Sequence, residues 1–167
     1  DDGKYEYYSY NYAPMNILNE LANNYMDLNV LEYKIQGDLE IKLAKGLKYN
    51  FLGSVRHVKS SNEHSMRENS NVVGAYRANR TTVIAKANPF LFKDPENPDM
   101  IPQVALPNGG IYKLTENNLQ SYYFRNALEY KRLFKEKHDL KAFLGQEYRH
   151  TDRDNSFFTG YGYQFET

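Results

Sequence analysis

The chain has 167 residues, with 21 Lys+Arg balanced by 21 Asp+Glu and no cysteine. That length suffices for one domain with a core. The neutral balance argues against a surface built for nucleic acid or anionic lipid, and the absence of thiols excludes disulfide scaffolds, thiolate zinc sites and cysteine nucleophiles. Aromatic residues reach 15%, as 16 Tyr and 9 Phe, a density foreign to disordered chains, and no apolar run approaches the roughly eighteen residues of a membrane-spanning helix.

In chain order, the Tyr-rich stretch at residues 5–12 reads as extended, and residues 16–24 suit a short helical turn. The strongest signal follows at residues 31–43. Leu31, Tyr33, Ile35, Gly37, Leu39, Ile41 and Leu43 alternate with Glu32, Lys34, Gln36, Asp38, Glu40 and Lys42. Strict period two with one apolar and one charged face predicts a strand, because a helix would scatter the same residues around its whole circumference. Gly46 suits a tight turn, after which Leu47, Tyr49, Phe51, Gly53 and Val55 resume the apolar set. The product is a hairpin with arms longer than the roughly 5–6 residues of an ordinary soluble strand.

Residues 60–118 have weak periodicity and carry Pro89, Pro95, Pro98, Pro102 and Pro107 together with an Asn108-Gly109-Gly110 turn signal, so a long connection is expected there. A second hairpin follows. Tyr122, Phe124, Leu128 and Tyr130 alternate with Tyr123, Arg125, Glu129 and Lys131. The charged turn Lys135-Glu136-Lys137-His138-Asp139 then leads into a strand over 140–148, whose faces the pattern does not assign because Phe143 and Leu144 are adjacent. The expected layout is a single partial β-segment with strands near 28–43, 47–59, 119–134 and 140–152 and one long loop near 60–118. Short turns at one end and a long loop at the other are the asymmetry of outer-membrane barrels. The start at Asp1-Asp2-Gly3 and the end within an aromatic stretch suggest a piece of a longer protein.

Several stretches together bring the chain close to a known family. They are Asn16-Ile17-Leu18-Asn19-Glu20-Leu21, residues 31–33 through 45–49, Ser121-Tyr122-Tyr123-Phe124-Arg125-Asn126-Ala127-Leu128-Glu129-Tyr130, residues 134–140, and Leu144-Gly145-Gln146-Glu147-Tyr148-Arg149. On these the chain resembles a central barrel segment of the SusC/RagA family of TonB-dependent outer-membrane transporters of Bacteroidetes. The resemblance implies an all-β fold of antiparallel meander hairpins, about four strands of a 22-stranded transmembrane barrel with one long extracellular loop. It also implies import of glycan or peptide nutrients, a SusD-like surface lipoprotein as partner, coupling to TonB through an N-terminal region and plug that this sequence does not contain, and an outer-membrane location in contact with lipid.

No Gly-x-Ser-x-Gly, phosphate loop or dinucleotide fingerprint occurs, so neither an enzyme nor a bound cofactor is expected. His57, His64, His138 and His150 have no metal-ligand spacing, and Asp94, Glu96, Asn97 and Asp99 cluster oxygens without matching the EF-hand pattern; no metal is expected. For substrate contacts, Tyr76, Arg77, Arg80 and Tyr112 in the long connection offer stacking surfaces and charge-assisted donors, and Tyr123 and Arg125 sit on the expected lumen face. The alternatives are a soluble carbohydrate-binding β-sandwich module using its tyrosines as sugar platforms, or a passive outer-membrane porin or adhesin.

Overall fold

Nine elements run along the chain. They are β1 (Tyr8–Tyr10), β2 (Ala13–Met15), α1 (Ile17–Asn23), β3 (Asn24–Ala44), β4 (Leu47–Met66), α2 (Asn71–Arg77), α3 (Thr82–Ala87), β5 (Gly110–Phe134) and β6 (His138–Tyr163). The computed structural model describes residues 4–135 and 137–165, so the chain ends and Glu136 of the charged turn lie outside the described residues. The protein is mostly antiparallel sheet, with 62% of residues in strands and 12% in helices, as an all-β fold requires, and the sheets are not closed. β1 and β2 form a small hairpin whose turn places Asn11 and Tyr12 at φ 50° and 66°. The four long strands form one sheet in the order β3-β4-β5-β6, a meander in which each strand pairs with its neighbour in sequence.

The strands run further than the alternation marks. β4 continues to Met66 and β5 begins at Gly110, so the connection between them shrinks to residues 67–109. Period two fades over these extensions because residues on both sides of the strand are packed or polar: Ser65, Met66 and Ile111 are all buried. α2 and α3, at seven and six residues, are too short to produce a helical period in the sequence. What starts them is local chemistry: the hydroxyls of Ser70 and Thr81 accept from the backbone N–H groups of Val73 and Ile84 at 3.3 and 3.2 Å. α1 is capped in the same way by Asn16, whose Oδ1 accepts from Asn19 N at 3.0 Å.

The chain divides into two compact units. The first gathers the N-terminal segment through Leu28, Ser61–Thr115 and the segment from Phe157 onward; the second comprises Asn29–Ser60 and Glu116–Ser156. The first has a core of Met66, Val73, Leu106 and Ile111, against which Val72 and Tyr76 pack. Two buried amides bind its irregular backbone together. Asn71 Nδ2 donates to the carbonyls of Tyr10, Ala13 and Pro14 at 2.8–3.1 Å. Asn88, wholly excluded from water, donates to Ala75 O and Ala78 O at 2.8 and 3.0 Å and accepts from Phe90 N at 3.0 Å. Such side chains supply the hydrogen bonds that a loop lacking a ladder must find elsewhere.

The second unit is sheet alone, and side-chain contacts assign its faces. On one face Tyr33 meets His57 at 5.2 Å between ring centroids, Phe51 stacks on Phe124 at 6.4 Å, and Phe124 stacks on Tyr148 at 6.5 Å. On the other, Lys48 pairs with Glu40 at 3.0 Å, Arg56 with Glu32 at 2.8 Å, and Ser121 with Thr151 at 3.0 Å. Period two then carries the assignment along each strand. On β6 it puts Leu140, Leu144 and Tyr148 on the apolar face and Phe143, Glu147, Arg149 and Arg153 on the polar one. The pattern had blurred there because Phe143 sits on the polar side and Gln146 on the apolar side.

Candidate functional site

The polar face of the second unit carries two grooves. The first, about 560 Å³, has Asp38 and Glu40 of β3, Arg125 and Glu129 of β5, and Phe143 and Glu147 of β6 on its walls. Four carboxylates face one guanidinium there, and Asn50 of β4 donates to Glu129 Oε1 at 3.3 Å. The second groove, about 420 Å³, draws Lys34, Arg56, Arg149 and Arg153 from three strands and has no carboxylate in its lining. Its remaining polar groups are the Gln36 amide, the Tyr123 phenol and the hydroxyls of Ser54, Ser121 and Thr151; Leu52 and Leu119 are its apolar members. The Arg149 guanidinium lies over the Tyr123 ring, 5.4 Å from its centroid. The face is therefore sorted by charge along the strands rather than mixed.

The six residues expected to touch substrate do not form one cluster. Tyr123 and Arg125 stand on the polar face as the alternation implies, but in different grooves. Tyr76 closes α2 onto the first unit's core, its ring stacked on Phe90 at 4.6 Å. Burial, and after it the neighbouring Tyr161, raises its phenol pKa. Arg77 is occupied structurally. Its Nη1 pairs with Glu68 Oε1 at 2.6 Å, and its Nη2 donates to the carbonyls of Pro107 and Gly109 at 2.7 and 2.9 Å. The Arg77 Nη1 bond first, and the Gly109 N–H second, hold the Glu68 carboxyl below its ordinary pKa. Arg77 thus staples the loop, linking Glu68 to the backbone at Pro107 and Gly109. Tyr112 donates to Glu63 Oε2 at 2.9 Å and stacks on Tyr163 at 4.8 Å, while Arg80 is exposed in the turn before α3.

The oxygen cluster at residues 94–99 is an ordinary turn. Asp94 accepts from Glu96 N and from Asn97 Nδ2, both at 2.9 Å, and these bonds, the Asn97 one first, lower its carboxyl pKa. Among the described residues, no group of three or more His, Asp or Glu is placed to hold a metal ion.

Sequence reasoning missed Arg149 and Arg153, because the faces of β6 could not be read from one strand. The signal lies in cross-strand pairing: Ser121 with Thr151 and Tyr123 with Arg149 fix which β6 residues join the polar face of β5. No family model and no curated protein matches this chain.

Proposed function

We propose that the four-stranded sheet is part of the wall of a transmembrane β-barrel in a SusC-like, TonB-dependent outer-membrane transporter that imports glycan or peptide nutrients with a SusD-like lipoprotein. One observation carries the reading: β3, β4, β5 and β6 are 21, 20, 25 and 26 residues long, and in the second unit the face that carries Leu31, Ile35, Leu39, Phe51, Phe124 and Leu144 is apolar over the part nearest the tight turns, giving way to the Lys59–Glu116 ion pair further along, while the opposite face is charged. Leu31, Ile35 and Leu39 remain 61%, 69% and 52% exposed, which in water is a large unfavourable area and in hydrocarbon is the stable arrangement. Residues 31–43 at about 3.3 Å each extend about 40 Å, and a barrel tilt of about 40–45° reduces that to about 30 Å, the thickness of a bilayer core. The polar side chain of Asn126 on this face is satisfied within the sheet by the Tyr49 hydroxyl at 2.6 Å, as a low-dielectric surround demands. A β-sandwich needs a second sheet against the apolar face, and the other described sheet is only the two-stranded β1-β2 hairpin.

In this reading the polar face lines the lumen, and the capped, Pro-rich connection at residues 67–109 belongs to the extracellular side. Movement of cargo needs no covalent chemistry: the lumen face binds weakly, and energy from TonB opens the path. Membrane fractionation of cells making the full-length protein tests this. Recovery in the outer membrane with heat-modifiable gel mobility is the expected result. Recovery in the water-soluble fraction would favour the soluble β-module, and uptake unchanged by a proton-gradient uncoupler would favour a passive porin.

A further inference from the structure

We propose that the basic groove on the polar face selects acidic oligosaccharides, whose carboxylates are gripped by Lys34, Arg149 and Arg153 while their hydroxyls are matched by the neighbouring side chains. The inference rests on the lumen assignment above and narrows its cargo. Among the described residues, Arg56 is paired with Glu32 and the Glu147 carboxylate reaches the Tyr123 phenol beside Arg149, whereas Lys34, Arg149 and Arg153 form no ion pair, so cations outnumber carboxylates at this concavity. Like charges held together without counter-charges repel, and an anionic ligand relieves that repulsion while gaining charge-assisted hydrogen bonds. Rings of Arg and Lys select anions in pores by the same physics.

The adjoining groove sharpens the choice. Asp38, Glu40, Glu129 and Glu147 outnumber Arg125 there, so an anion is drawn to the basic groove and repelled from its neighbour. The occupant's scaffold follows from the rest of the lining. Gln36, Ser54, Ser121 and Thr151 offer an amide and three hydroxyls, which match a polyol. The groove lies on the face of all four strands, not along an edge, so it gives a peptide no ladder of backbone hydrogen bonds, and Leu52 and Leu119 make only a small apolar area for peptide side chains. The Arg149 guanidinium is already oriented by the Tyr123 ring beneath it, which lowers the entropy lost on binding.

The test uses the full-length protein extracted in detergent from the outer-membrane fraction and titrated calorimetrically with tetragalacturonate, with neutral galactotetraose and with poly-L-glutamate. Tetragalacturonate is expected to bind at least tenfold more tightly than the neutral tetramer, with affinity falling as salt rises. Arg149→Gln and Arg153→Gln are each expected to weaken it about tenfold, and Lys34→Gln, on a different strand, somewhat less. Glu129→Gln in the acidic groove should leave the affinity within about twofold. Equal binding of the acidic and neutral tetramers, or no loss in the folded Lys34 and Arg variants, overturns the proposal and leaves the transporter reading intact. Preference for poly-L-glutamate overturns the oligosaccharide assignment. A protein absent from the outer-membrane fraction removes the lumen on which the proposal depends, and with it both readings.

Discussion

In the first unit Val73, Ala85 and Asn88 are completely excluded from water, and nine apolar residues are buried; in the second, Ala127 alone is buried among the described residues. Both units carry abundant large apolar side chains, so composition does not separate them. Placement does. The irregular unit buries a small cluster around Val73 and Ile111 and staples its backbone with Asn71, Asn88 and Arg77, although Leu21, Val83 and Phe157 stay exposed, whereas the sheet displays Leu31, Ile35, Leu39 and Leu43 outward with almost nothing buried. A loop-rich unit that contains its own core, in a chain whose sheet unit contains almost none, reverses the usual relation, in which loops borrow rigidity from strands. The difference teaches that the surroundings of the sheet, not its interior, decide its stability.

The comparison can be broken at its strongest point first. Ile111→Ala removes a side chain that is 1% exposed in the first unit's core and is expected to cost about 2–5 kcal/mol, read as a lower denaturant midpoint for protection of residues 67–109 in hydrogen exchange. An unchanged midpoint would mean that the buried cluster does not hold the connection. Leu39→Arg should destabilise the assembled protein by about 2–4 kcal/mol if that face meets hydrocarbon near the midplane, while Glu40→Arg one residue on should cost less than about 1 kcal/mol. Equal tolerance at the two positions in a urea titration in detergent contradicts the assigned faces. Gly46 sits at φ 85°, and an added Cβ would collide with the Lys131 carbonyl. Gly46→Ala is therefore expected to cost about 1–2 kcal/mol for the left-handed backbone alone, visible as slower refolding of the first long hairpin.

A smaller effect sharpens the contrast. Arg77→Met loses the Glu68 pair and two carbonyl contacts, and about 1 kcal/mol is expected because the site is partly exposed. The readout is faster proteolysis at residues 107–110 with the sheet unaffected.

How legible all this was depended on where a single strand carries its own pattern. β3 announced itself because one face is uniformly apolar from Leu31 to Leu43, and Tyr123 and Arg125 could be put on the polar face for the same reason. β6 did not, since Phe143 and Gln146 each sit on the unexpected side, and its faces become visible only through Tyr123, Ser121 and Phe124 on the next strand. The helices of the connection were hidden by their brevity, although Ser70 and Thr81 stand at their caps. Arg77 and Tyr112 were incompletely legible for a different reason. Their chemistry suits a ligand, but Glu68 and Glu63 already engage it, and a partner so distant in sequence cannot be seen from the residue itself.

The meander also fixes an order of events. Its three connections are Lys45–Gly46, residues 135–137 and residues 67–109. Closing a loop of about forty residues costs roughly 2–3 kcal/mol more chain entropy than closing one of two or three. The pairs β3–β4 and β5–β6 are therefore expected to form first as separate hairpins, with the β4–β5 seam following. The small core around Val73 and Ile111 shortens the effective gap that seam must close, so a weakened connection would delay the sheet without altering a single residue of it.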